Sequence, residues 1–117
     1  MSSAPSVKDL RMIKRFVLLP LLMSELEDNK AAIAKAVKYP EPYEALLQEA
    51  MDRVAADLLM VKDYLRRNDT KIESAQWKDG CVSAKFVCRG HVDVFHLMDH
   101  LLKNDMNTAM NHYLRKP

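Results

Sequence analysis

The sequence predicts a single α+β domain that is mostly α. Three features carry that reading: two long stretches with apolar residues at helical spacing, a Pro-rich break between them, and a later Asp-Gly pair in a segment where the helical period disappears. At 117 residues the chain has room for one hydrophobic core. A composition of 49% hydrophobic and 29% charged residues with only two glycines is that of a folded chain with little linker. Residues 7–117 therefore read as one domain, with 1–6 as a disordered tail.

The first helix spans residues 7–37. Phe16, Leu19, Met23, Leu26, Ile33 and Val37 recur at steps of three and four, with Lys30 in the one vacant slot. Pro20 lies inside it, lacks an N–H and clashes with the carbonyl four residues back, which predicts a kink or a break. Tyr39-Pro40-Glu41-Pro42 then stops the helix, because each proline biases the residue before it away from helical geometry. Pro42 suits the first turn of a second helix over 42–67, and Glu44 faces the positive end of its dipole. Its seam is Leu47, Met51, Val54, Leu58, Val61 and Leu65, and Asn68-Asp69 supplies the stop. Two such rods on a short turn pack as a long antiparallel αα-hairpin.

Residues 71–89 predict a two-stranded β-hairpin turning at Asp79-Gly80, where both residues tolerate positive φ. A two-residue turn pairs Lys78 with Cys81, Trp77 with Val82, Ala75 with Ala84 and Glu73 with Phe86. That puts Ala75, Trp77, Val82, Ala84 and Phe86 on a core face, and Ser74, Gln76, Lys78, Ser83 and Lys85 on a wet one. Gly90 ends the second strand. A C-terminal helix is expected over 92–115 on the stripe Val94, Phe95, Met98, Leu101, Leu102, Ala109 and Tyr113, giving the order α-α-β-β-α. This order and the Cys88-Arg89-Gly90 step resemble small accessory proteins of prophage-like gene clusters, a likeness that assigns no residue a role.

Few chemistries suit these residues. There is no P-loop, no GxGxxG and no GxSxG elbow, so neither a nucleotide enzyme nor a serine hydrolase is expected. On the expected last helix His96 and His100 are four apart, a metal-ligand spacing with Asp93 one turn earlier, but they fall on the solvent side and lack the Glu of HExxH. They read as surface histidines, and no metal or other cofactor is expected. Cys81 and Cys88 are seven apart on one strand, on opposite faces and roughly 23 Å from each other, too far for a shared metal or disulfide. Cys88 reads as a small core residue and Cys81 as an exposed thiol without an identifiable base. Two cysteines do not make a disulfide framework, which suits a cytoplasmic protein, and no run approaches the length of a membrane span.

Charge and apolar surplus supply the two positive signals. Residues 1–20 and 60–90 hold eleven Lys or Arg against five acids, whereas 21–59 hold four against eight. Antiparallel packing gathers Lys8, Arg11, Lys14, Arg15, Lys62, Arg66, Arg67 and Lys71 into a basic end. That end suits phosphates or an acidic partner, although cations near a helix C-terminus also simply complement its dipole. Helix 42–67 carries a second apolar set, Leu46, Ala50, Leu59, Met60 and Tyr64, in a chain with eight methionines. The expectation is a non-enzymatic interaction or regulatory module that self-associates through this helix or binds another protein. Nucleic-acid association through the basic end is the alternative, and no membrane partner is expected.

Overall fold

A computed structural model describes residues 4–115 and shows the order α1 (Val7–Ala36), α2 (Glu41–Arg67), β1 (Thr70–Lys78), β2 (Cys81–Cys88), β3 (His91–Met98) and α3 (Asp99–Leu114). The class is the expected mostly helical α+β, but the sheet has three antiparallel strands in the order β1-β2-β3 rather than two. Residues 1–3 of the expected tail lie outside the described residues. Ser6 is ordered: its hydroxyl accepts from the Asp9 N–H at 3.0 Å while Asp9 Oδ2 accepts from the Ser6 N–H at 2.9 Å, a reciprocal cap on α1.

α1 runs unbroken through Pro20, so the expected break does not occur. Pro20 is solvent-exposed, and buried Val17, Leu18, Leu19 and Leu22 hold the helical path on either side of the missing hydrogen bond. α2 lies antiparallel to α1. Tyr64 bonds Asp9 at 2.8 Å near one end, Arg15 meets Asp57 at 3.4 Å in the middle, and Lys30 bonds Gln48 at 2.9 Å toward the other. Between them lie Ile13, Leu19, Leu22, Leu26, Leu47, Ala50, Val54, Val61 and Leu65, all buried. A second cluster, Val17, Leu18, Val82, Ala84, Leu97 and Leu102, joins α1 to the inner face of the sheet and to α3.

Asp79-Gly80 turns as expected, with φ of 55° and 71°, and the register matches from Lys78↔Cys81 to Ser74↔Lys85. Beyond that a bulge at Glu73 puts Ile72, not Glu73, opposite Phe86. The bulge returns the apolar Ile72 to the inner face, which Glu73 would otherwise occupy. On that face Val82, Ala84, Phe86 and Cys88 are buried, whereas Ala75 and Trp77 of the edge strand remain exposed.

Residues 91–98 form β3, not the first two turns of the last helix. The cause is a second two-residue turn: Arg89 and Gly90 both take positive φ, 49° and 83°, and send the chain back along β2. Arginine is a poor residue for that conformation. It is held there because its N–H donates to the Asp69 carbonyl at 2.8 Å while its guanidinium bonds Asp9, the Asn68 carbonyl and the Ala4 carbonyl. β3 ends where the Asp99 N–H donates to the Gly80 carbonyl at 2.8 Å, and α3 starts at that residue.

Candidate functional site

Of the second apolar set on α2, the structure keeps only part at the surface. Ala50 is fully buried, and Tyr64 turns its hydroxyl to Asp9. Leu46 is 37% exposed and lies more than two turns before Leu59 and Met60, which are 68% and 66% exposed. What is contiguous is a different group: Ala55 and Ala56, both exposed, stand one turn before Leu59 and Met60 on the outward face. The periodicity showed Leu59 and Met60 but not the alanines, whose small size carries little hydropathy signal.

Beside this patch is a cleft of about 630 Å³ between α2 and α3, lined among others by Arg53, Ala56, Asp57, His112 and Tyr113. Its floor is a polar node. The Tyr113 hydroxyl donates to Asp57 Oδ2 at 2.5 Å, Arg15 reaches the same carboxylate, and Arg53 donates to the Tyr113 carbonyl. Burial, and then the hydrogen bond to Asp57, push the Tyr113 phenol above its ordinary pKa. Lys14 pairs with Asp105 at 2.8 Å and Arg15 donates to the Tyr113 hydroxyl at 3.5 Å, so both fasten α3 to the helical pair.

The residues expected to form the basic end differ in their surroundings. Lys8 lies 5.0 Å from the centre of the Tyr64 ring, and Arg66 and Arg67 both pair with Asp63, at 2.5 and 3.0 Å. Arg11, Lys62 and Lys71 are exposed and form no ion pair among the described residues. Lys62, Arg66 and Lys71 line one cleft of about 400 Å³ between the end of α2 and β1, with Asp69 as the acid in its wall.

A buried node at this end went unseen in the sequence. Asp9, 2% exposed, accepts from Arg89 at 2.9 Å, from the Tyr64 hydroxyl and from the Ser6 N–H. Burial alone would raise the Asp9 carboxyl, but the Arg89 side chain and the bonds from Ser6 and Tyr64 together hold it well below the usual carboxylate range. Beside it Cys88 is fully buried, as expected, and its sulfur accepts from the Thr70 hydroxyl at 3.2 Å.

His96 and His100 do not share a helix face: His96 is on β3 and His100 is the second residue of α3, which removes the i,i+4 pair. Among the described residues no three His, Cys, Asp or Glu side chains converge on a metal-sized site. His96 instead stands on the outer face of the sheet, with Nδ1 2.9 Å from Ser83 Oγ and 4.0 Å from Cys81 Sγ. Asp93 sits 3.8 Å from His91. Among the described residues no helix is long and apolar enough to cross a membrane.

A family model described as YhjD protein matches residues 4–117, essentially the whole chain. The chain belongs to the YhjD protein family. That match spans the helical pair, the sheet and α3 together, so both the α2 patch and the basic end are parts of one family unit rather than additions to it. No curated protein and no solved structure matches the chain.

Proposed function

We propose that this protein is a non-enzymatic, cytoplasmic interaction module that pairs with a second copy of itself through the outward face of α2. The observation that carries the reading is the exposed patch Ala55, Ala56, Leu59 and Met60 at the middle of the helix. Small residues one turn from large ones let two helices approach closely and interlock. Charge sets the direction. The first half of α2 bears Glu41, Glu44, Glu49 and Asp52 with Arg53, and the second bears Lys62, Arg66 and Arg67 with Asp57 and Asp63, so antiparallel copies set a net acidic half on a net basic one, with Glu49 opposite Arg66 but Asp52 opposite Asp63. A two-fold axis near residues 57 and 58 brings Leu59 and Met60 of one copy against Ala55 and Ala56 of the other, beside the α2/α3 cleft.

Light scattering across a concentration series tests this. The expected mass is twice the 13.5 kDa of the chain, falling to the single chain in Leu59→Glu/Met60→Glu. A wild-type monomer at all concentrations contradicts it.

The cleft that collects Lys62, Arg66 and Lys71 favours a second reading, a protein associated with nucleic acid through phosphate contacts. Binding of a labelled oligonucleotide at about 50 mM salt, weakening steeply as salt rises and lost in Lys62→Glu/Lys71→Glu, is its expected result. No binding at low salt removes it.

A further inference from the structure

The outer face of the sheet brings together a group of chemically reactive side chains. Cys81 and Met98 are direct cross-strand partners on β2 and β3, and Ser83 and His96 are the next pair on the same face. Direct partners hold their Cβ atoms about 5 Å apart, which puts Met98 within side-chain reach of Cys81. Cys81 Sγ is 4.0 Å from His96 Nδ1 and 3.9 Å from Ser83 Oγ, Cys81 is half-buried, and Met98 is 47% exposed.

We propose that Cys81, His96 and Met98 form a site for a monovalent copper ion on the outer face of the sheet.

The donor set is the first argument. A thiolate, a thioether and an imidazole are soft or borderline ligands, and thiolate with thioether selects Cu(I) over magnesium, calcium or manganese. Zinc and iron sites close with more His, Cys or carboxylate ligands than this face offers, and among the described residues no such group of three exists. Spacing is the second. Bonds of about 2.3 Å to sulfur and 2.0 Å to nitrogen at a tetrahedral angle would bring Sγ and Nδ1 to about 3.5 Å. Their 4.0 Å separation opens that angle and suits an ion with two or three ligands.

The competing chemistry is a serine or cysteine nucleophile with His96 as base. Such a base needs an orienting acceptor on its other nitrogen, and among the described residues no carboxylate meets His96 Nε2. As a ligand set the same atoms balance without a co-reactant. Cu(I) replaces the Cys81 thiol proton, which leaves to solvent, His96 binds as neutral imidazole through Nδ1, and neither metal nor sulfur changes oxidation state. The Ser83 hydroxyl turns from Nδ1 and is within reach to donate to the thiolate, 3.9 Å away. Cys88 stays out of the exchange, since it is buried on the inner face.

An anaerobic titration of the reduced full-length chain against a coloured Cu(I)–chelator complex tests the site. The expected result is one Cu(I) withdrawn per chain. Affinity should fall by at least about 100-fold in Cys81→Ser and by about 10-fold in His96→Gln and in Met98→Leu, with circular dichroism unchanged because His96 and Met98 are exposed and Ser is a near-isostere of the half-buried Cys81. His100→Gln should bind as wild type. The proposal is overturned if the wild-type chain leaves the copper on the chelator, if Cys81→Ser keeps wild-type affinity, or if His100→Gln costs as much as His96→Gln.

Discussion

The helical pair and the sheet that follows it are stabilised in different ways. α1 and α2 meet along a continuous apolar seam from Ile13 to Leu26 and from Leu47 to Leu65, with every position repeated one turn on. The sheet and α3 are attached at fewer points: Phe86, Cys88 and Tyr113 in the helical core, the Val17, Leu18, Val82, Ala84, Leu97 and Leu102 cluster, the Asp9–Arg89 pair, and the Arg15–Asp57–Tyr113 node. Loss of one contact is diluted in a repeated seam and concentrated in a pointwise attachment. Substitutions in the sheet half should therefore cost more for their size than substitutions at the ends of the helical pair.

The largest effect is expected at Phe86, 1% exposed, which packs the sheet against the helical core. Phe86→Ala should destabilise by about 4 kcal/mol in denaturant unfolding, through lost transfer energy and the cavity left behind. A cost below about 1 kcal/mol would show that the sheet is not bound to the helical core in this way.

Next is Asp9→Asn, which removes the charge that Arg89, Tyr64 and Ser6 surround and should cost about 2 kcal/mol at neutral pH. The folded state holds this carboxyl below its unfolded value, so its contribution is present above the ordinary carboxylate range and is lost as pH falls below it. Wild type and variant should accordingly converge in stability toward acid. A gap that stays constant down to strongly acid pH would mean the Asp9 charge contributes nothing.

Smaller effects sharpen the contrast. Gly90→Ala places a side chain in open space but at φ 83°, so backbone strain alone should cost about 1 kcal/mol. Pro20→Ala in the helical pair should instead stabilise by up to about 1 kcal/mol, because it restores a backbone hydrogen bond within the continuous helix α1. Both are read from thermal unfolding. A Pro20→Ala variant that unfolds earlier would show that the proline shapes the packing of Val17 and Leu18 on the sheet.

The same division explains what was legible in the sequence. α1 and α2 could be placed to within a residue or two, because their seams follow a local period that tertiary contacts merely reinforce. Asp79-Gly80 carried its own turn signal. β3 did not: its inner face holds His91 and Asp93 beside Phe95 and Leu97, which blurs the alternation, while Val94, Phe95, Met98, Leu101 and Leu102 also fit a helical stripe. Its turn depends on Arg89 in a conformation that arginine avoids, stabilised by Asp9 some eighty residues earlier. That long-range pair left no local trace, and neither did the meeting of Cys81 with His96, which exists only once residues 91–98 are a strand. The basic end was legible in composition. That Lys14 bonds to Asp105 and Arg15 to Asp57 and Tyr113 was not, because the first and last of these depend on where α3 crosses.

The most direct test of the α2 pairing is a distance between two copies. A spin label on Gln48→Cys in a Cys81→Ser background, with Cys88 buried and unlabelled, reads the separation of equivalent positions by pulsed electron resonance. An antiparallel pair centred near residues 57 and 58 puts those positions about 30 Å apart, from a rise of about 1.5 Å per residue. A single distance of that size is the predicted result, whereas a separation near 10 Å, as in parallel helices, or the absence of any paired distance would contradict it.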